Sequence, residues 1–326
     1  MPAHRPPPRF FGFADRTEAR AARHGRRVFG FTLVEMVIAI VLLGIVAAIT
    51  ATFIVRPVEG YRDLARRTAL VDAAESALRR MQRDIRTALP NSVRITNTAS
   101  GFALELIPVI DGGRYNDAGG GTDKLTDTGG GDDEFDIEHC FRNPALPTTS
   151  GLRFVVNNFG TTDGNVYDDA SLGVGSTGVI TPTAMTISIT NDPAPGGTCP
   201  TPPSNHHVTF FVAGVKTNHK FRDVSGSPNR RIYGVTTPAS YLCDSSAATL
   251  TRYYAYAINA SQYTTAASFT AANASSALVT DRVSGCSVTT TTSQILDIGL
   301  ATLTLSVAEE GEQVSLVVQT MMDNSR

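Results

Sequence analysis

The chain has 326 residues, a formal net charge of −2 and 42% hydrophobic residues, enough for one large domain or two small ones with a real core. Near-neutrality excludes a global attraction to nucleic acid. The 28 glycines and absent tryptophan, with abundant Ser, Thr and Asn, suit an exported body of strands and loops.

Charge is unevenly placed along the chain. Residues 1–30 hold seven arginines, at 5, 9, 16, 20, 23, 26 and 27, against Asp15 and Glu18. Such a basic head indicates a targeting segment and not a mixed surface. From Phe31 to Ile54 the chain reads FTLVEMVIAIVLLGIVAAITATFI, about 36 Å as a helix, against a bilayer core of roughly 30 Å. Arg26 and Arg27 flank its start, so the positive-inside rule puts that end in the cytoplasm and the remainder outside. Three readings compete: a secretory signal cut near Val46-Ala47-Ala48, an ordinary signal anchor, and a prepilin. The run is long for a cleaved signal. Glu35 bears on the choice. It is the only charge in the run, and a carboxylate in hydrocarbon costs on the order of a few kcal/mol unless it snorkels or finds a partner.

Arg26-Arg27-Val28-Phe29-Gly30-Phe31-Thr32-Leu33-Val34-Glu35 resembles the type IV prepilin signature, in which a basic leader ends in Gly before Phe-Thr-Leu-(Val/Ile)-Glu and a long apolar helix. The resemblance implies residues 1–30 as leader and cleavage between Gly30 and Phe31 by a membrane-embedded prepilin peptidase. It also implies methylation of the new amine on Phe31, and assembly through Glu35, paired with the N-terminal amine of a neighbouring subunit. A buried amine and carboxylate neutralise each other where neither is tolerable alone. Gly30 has no side chain to obstruct a tight protease cleft.

Residues 31–54 are then a membrane-spanning half helix and residues 55–90 an amphipathic periplasmic half. Pro57 is expected to kink the helix. Leu64, Val71, Leu78 and Ile85 recur every seven residues, with Ala74, Met81 and Ala88 between them, giving one apolar stripe to pack on the protein's own sheet. Arg67 in a seam position argues against a coiled coil. Leu89-Pro90-Asn91 ends the helix.

Residues 91–326 read as a periplasmic β-rich domain. Phe102, Leu104 and Leu106 alternate with polar or small residues; 152–156, 208–215 and 250–258 read as further strands. Leu303, Leu305 and Val307, then Val314, Leu316 and Val318 around Glu309-Glu310-Gly311-Glu312, predict a C-terminal hairpin. The fold class is therefore α+β: a pilin-like roll, one long helix on an antiparallel sheet, interrupted by loops at 111–134, 194–204 and 259–278.

Loop 111–134 is acidic, and Asp117, Asp123, Asp127 and Asp132 are weak calcium candidates; their spacing matches no EF-hand, and a solvated loop explains the composition. No other metal or cofactor is expected. Cysteines stand at 140, 199, 243 and 286. An even count on the exported side indicates two disulfides. Cys243 with Cys286 is the expected pair, since each adjoins a strand of one subdomain, leaving Cys140 with Cys199. No G-x-S-x-G, phosphate loop or H-E-x-x-H occurs, so enzymatic activity is not expected.

Residues 55–61 (VRPVEGY), 72–92 (DAAESALRRMQRDIRTALPNS), Tyr241-Leu242-Cys243-Asp244 and Leu250-Thr251-Arg252-Tyr253 are similar to MSHA pilus biogenesis proteins, the MshO-type minor pilins. This implies a low-copy inner-membrane subunit that initiates or caps a pilus. Its partners would be other pilins, the prepilin peptidase, the platform protein and its assembly ATPase, with no nucleic acid. The J-type pseudopilin of type II secretion and a pilus-tip adhesin are the alternatives.

Overall fold

The computed structural model describes residues 30–116, 124–146, 149–161, 164–193, 204–293 and 298–323. Helix α1 runs from Leu33 to Arg86 and contains Pro57. The chain divides into two compact units, Met1–Glu59 and Gly60–Arg326. In the first, the described residues begin at Gly30 and are helical from Leu33 onward.

The second unit opens with the remainder of α1. Its buried stripe is Leu70, Ala74, Ala77, Leu78, Met81 and Ile85, at the three-and-four spacing of one helix face. The heptad reading placed Leu64 in that stripe, but Leu64 is 64% exposed; burial begins one turn and a half later, where the sheets begin. The helix ends at Arg86 and not Leu89. There Leu89 N–H turns to the carbonyl of Ile107 and Val109 N–H to that of Thr87, so the chain exchanges helical bonds for a β-like exit just before Pro90.

Strands β1 (Arg94–Thr98) and β2 (Gly101–Leu106) follow, then β3 (Val109–Arg114), β4 (Glu134–Ile137) and β5 (Arg153–Val156). A short helix α2 (Val166–Asp169) precedes β6 (Thr177–Gly178), β7 (Thr186–Pro193), β8 (Ser204–Val212), β9 (Val215–Lys216), β10 (Lys220–Phe221) and β11 (Arg231–Val235). Next come β12 (Ala239–Asp244), β13 (Thr249–Tyr254), α3 (Ala266–Ala271), β14 (Ser275–Asp281), β15 (Val283–Ser293), β16 (Ile298–Glu309) and β17 (Glu312–Asp323).

Where one sheet was expected, several form. β1-β2-β12-β13-β14 make a five-stranded sheet and β15-β16-β17 a meander, all antiparallel. Alternation sends Phe102, Leu104 and Leu106 of β2, Tyr241 and Cys243 of β12, and Leu303, Leu305 and Val307 of β16 into one core with the α1 stripe. The predicted C-terminal hairpin is present: Glu309 pairs with Glu312 around Glu310 and Gly311, at φ 46° and 88°. Positive φ at both turn residues suits the twist of the flanking strands.

The opposite face of the five-stranded sheet is covered by the segment read from sequence as an Ala/Ser/Thr connection. It forms α3 and most of β14 instead. Thr265 and Ser268 make a reciprocal capping box, and Phe269, fully buried, stacks on Tyr253 at 4.1 Å. One aromatic anchor and one cap order a tract whose composition alone favours a loop.

β2 and β12 are neighbours, with Leu106 opposite Ala239, yet residues 107–238 lie between them. This excursion is a lobe with its own core of Tyr115, Phe135, Phe154, Phe210 and Phe221, built on the sheets β3-β11-β5 and β4-β8-β7, with β6 paired to β10. Asp111–Arg114, expected in the acidic loop, belongs to β3. A Cβ on Gly113 would come within 3.0 Å of Ile137, and one on Gly112 within 3.3 Å of Tyr233. These glycines serve close packing there.

Candidate processing and assembly site

Gly30, Phe31 and Thr32 precede the first helical turn. Thr32 Oγ1 accepts the amide of Glu35 at 3.2 Å, and the Thr32 carbonyl accepts the amide of Met36 at 3.2 Å. Thr32 is thus the N-cap and Glu35 the third helical residue, the Thr-x-x-Glu spacing of a capping box. The cap satisfies one of the orphan amides of the first turn. It also fixes Glu35 at the positive end of the helix dipole, where a carboxylate is favoured. Thr32 is the residue that sequence reasoning missed, although its spacing to Glu35 carried the signal.

A Cβ on Gly30 would meet nothing within 4 Å. Nothing among the described residues requires glycine there. Phe31 and Leu33 are 76% and 81% exposed. From Leu33 to Ala51 the helix has a mean hydropathy of 2.7 with none of that window buried. A helix this apolar, with none of it buried by the described residues, fits hydrocarbon; its 19 residues span about 29 Å. The Thr50 hydroxyl donates to the Val46 carbonyl at 2.7 Å, so it brings no unsatisfied donor into lipid.

The remaining site residues lie elsewhere in the chain. Cys243 and Cys286 form the expected disulfide, with Cα atoms 6.6 Å apart, tying β12 of the five-stranded sheet to β15 of the meander. A Cβ on Gly101 would stand 2.8 Å from Cys286 Sγ and 2.4 Å from the Cys243 carbonyl oxygen, so the crosslink needs glycine on β2. Cys140 is disulfide-bonded; Cys199, its expected partner, lies outside the described residues. Of the calcium candidates, Asp117 and Asp123 also lie outside them. Asp127 Oδ2 accepts the Ser225 amide and hydroxyl at 3.2 and 3.0 Å, bonds that hold its carboxyl below the usual range. Asp132 accepts the Thr126 amide, and burial raises its carboxyl. Among the described residues no three acidic, His or Cys side chains converge as a metal would require.

Two polar clusters hold the second unit together. Arg94 Nε meets Glu105 Oε2 at 2.6 Å, Tyr256 donates to Glu105 Oε1 at 3.0 Å, and the Arg94 guanidinium lies 3.7 Å over the Tyr167 ring. This pins the inserted lobe to the main sheet. Burial pushes the Glu105 carboxyl up while Arg94 pulls it back. The other cluster joins Asp84 to Tyr241 and Arg252.

Residues 25–51 match the family described as the prokaryotic N-terminal methylation motif. The match covers the end of the basic head and the start of α1, and it identifies that segment as one of a type IV pilin-like prepilin. Such a segment implies processing by prepilin peptidase, assembly with other pilins and a membrane anchor. Comparison with curated proteins and with solved structures finds no match.

Proposed function

We propose that this chain is a minor pilin that initiates or caps an MSHA-like type IV pilus. The carrying observation is Glu35, a lone carboxylate set by the Thr32 cap at the start of an uncovered apolar helix, within the matched methylation motif. Prepilin peptidase cuts after Gly30 and methylates Phe31. Cutting there leaves the new ammonium within about one helical turn of its own Glu35. In a filament, the same carboxylate receives the ammonium of a neighbouring subunit. Two charges that each cost several kcal/mol in hydrocarbon are tolerated there only as a pair, so pairing selects one axial offset between subunits. The subunit sits in the inner membrane as a single pass, N-terminus cytoplasmic, with residues 91–326 as the periplasmic domain. Its role is structural, not enzymatic.

The MSHA assignment rests on the resemblance of residues 55–61, 72–92, 241–244 and 250–253, and the minor role on the size of the chain, 326 residues. Mass spectrometry of the mature N-terminus tests the processing: a mass beginning at N-methylated Phe31 is expected, and retention of the first thirty residues overturns it. Deletion tests the role. Loss of surface pili is expected; normal piliation with failed protein secretion would transfer the chain to a secretion pseudopilus.

A further inference from the structure

The meander β15-β16-β17 ends on β17, which among the described strands pairs with β16 alone. Their register runs unbroken from Glu309–Glu312 to Ile298–Asp323, with no bulge to turn the edge away. In a two-residue hairpin the pair that closes the turn is hydrogen-bonded, and bonded pairs alternate along the ladder. Glu312, Val314, Leu316, Val318, Thr320 and Met322 therefore give their amides and carbonyls to β16. Gln313, Ser315, Val317, Gln319 and Met321 turn theirs outward. Gln82 of α1 agrees with that parity, since its Nε2 donates to the Gln319 carbonyl at 3.0 Å. Among the described residues no other group meets the outward amides and carbonyls of this row.

Sheet edges are ordinarily blunted by charge, proline or a bulge. From Gln313 to Met322, β17 has neither charge nor proline. The edges of the five-stranded sheet differ. Beside β1, Arg94 donates to the carbonyls of Asn259 and Ala260, and Gln262 Nε2 donates to the Arg94 carbonyl at 3.4 Å. At the other edge, the β13–β14 register shifts between Leu250 and Thr251. Both side-chain rows of β17 are also incompletely covered. Val317 and Met321 are 61% and 64% exposed, while Val314, Leu316 and Val318 are only partly buried against the core. We propose that β17 receives an added strand from another pilin-like subunit, an uncharged extended segment rich in β-branched residues. Its backbone takes the outward groups, and its side chains complete the cover of both rows. A charged segment would lay its charges on apolar side chains. A second copy of β17, antiparallel and centred on Val317, would bring the acidic ends Glu312 and Asp323 of the two chains together, where like charges repel. The methylation motif implies assembly with other pilins, and the inference rests on that reading.

The test places the photo-crosslinker p-benzoylphenylalanine at Val317 of the full chain in its native cells, with the same label at Val174, exposed on the inserted lobe, as control. Irradiation should join Val317, and not Val174, to a different chain whose mature N-terminus is methylated, as mass spectrometry of the adduct reads. Ser315→Pro should lower the adduct at least tenfold. Proline at an outward position of an edge strand removes only an unused amide, so Ser315→Pro should melt like Ser315→Ala, whereas Leu316→Pro, which breaks the ladder, should melt lower. No adduct at Val317, an adduct unchanged by Ser315→Pro, or an adduct to a second copy or to a chain without a methylated N-terminus overturns the proposal. So does a lower melting temperature of Ser315→Pro than of Ser315→Ala. The N-terminal mass of the labelled chain separates two failures: a mature N-terminus without an adduct rejects strand addition alone, whereas a retained leader rejects the pilin reading beneath it.

Discussion

Tyr241, on β12, donates its phenol to Asp84 of α1 at 2.7 Å, and Arg252 Nε of β13 reaches the same carboxylate oxygen at 3.0 Å. The Asp84 and Arg252 side chains are about one-fifth exposed, so this contact closes the rim of the helix–sheet core. Burial and the adjacent carboxylate both raise the Tyr241 phenol, which stays a donor at any working pH.

Removing Asp84 strands a half-buried guanidinium and a phenol together. Asp84→Ala should cost about 2–4 kcal/mol, whereas Tyr241→Phe should cost about 1 kcal/mol. Urea denaturation of the full chain in detergent measures both. Equal and negligible losses would mean that the helix is held by its apolar stripe alone.

His219 is 1% exposed, and neither ring nitrogen has a hydrogen-bond partner among the described residues. It lies edge-on to Phe221 at 4.5 Å. Burial, and then the Arg153 charge, bring its pKa down to about 4 from 6.5. A depressed value means that the fold prefers the neutral ring. Its contribution is complete above pH 6.5 and is lost as pH falls toward 4, about 3 kcal/mol in all. His206, also lowered by burial, acts in the same direction. For His207, burial is outweighed by Asp136 and Glu134, so it is raised and acts oppositely. His219→Leu should remove the His219 share of the acid loss and leave the others. Melting curves of wild type and variant from pH 7.5 to 4.5 compare them, and parallel curves would exclude His219 as a source of acid sensitivity.

The Cys243–Cys286 bond closes a loop of 43 residues in sequence separation. Its loss should cost about 2–4 kcal/mol, read as a lower denaturation midpoint of a Cys243→Ser, Cys286→Ser variant. Gly101→Ala should interfere with the same bond, because its methyl would overlap both the sulfur and the Cys243 carbonyl. Free thiols titrated in that variant check this outcome.

Three substitutions near the start of α1 separate cutting from assembly. Gly30→Ala should slow leader removal at least tenfold without disturbing the helix, since the added methyl meets nothing. Glu35→Leu should be cut but fail to enter sheared filaments. Thr32→Ala should be cut too, with the first turn weakened by about 1 kcal/mol, visible as faster amide exchange at Glu35. Wild-type exchange in that variant would discard the cap.

The sequence by itself determined the helix, the membrane segment, the position of Glu35, the β2 alternation, the C-terminal hairpin and the Cys243–Cys286 pair. Apart from the cysteine pair, 43 residues apart in sequence and expected because each cysteine adjoins a strand, these are local signals: period, spacing and turn chemistry act within a few residues. Only tertiary structure decided that Leu64 faces outward, that Asp111–Arg114 is a strand, and that an Ala/Ser/Thr tract folds as α3 around Phe269. The same holds for the return of the chain to pair Ala239 with Leu106 after the whole inserted lobe. Each depends on what lies across a contact between residues distant in sequence, and burial against such partners overrides local preference.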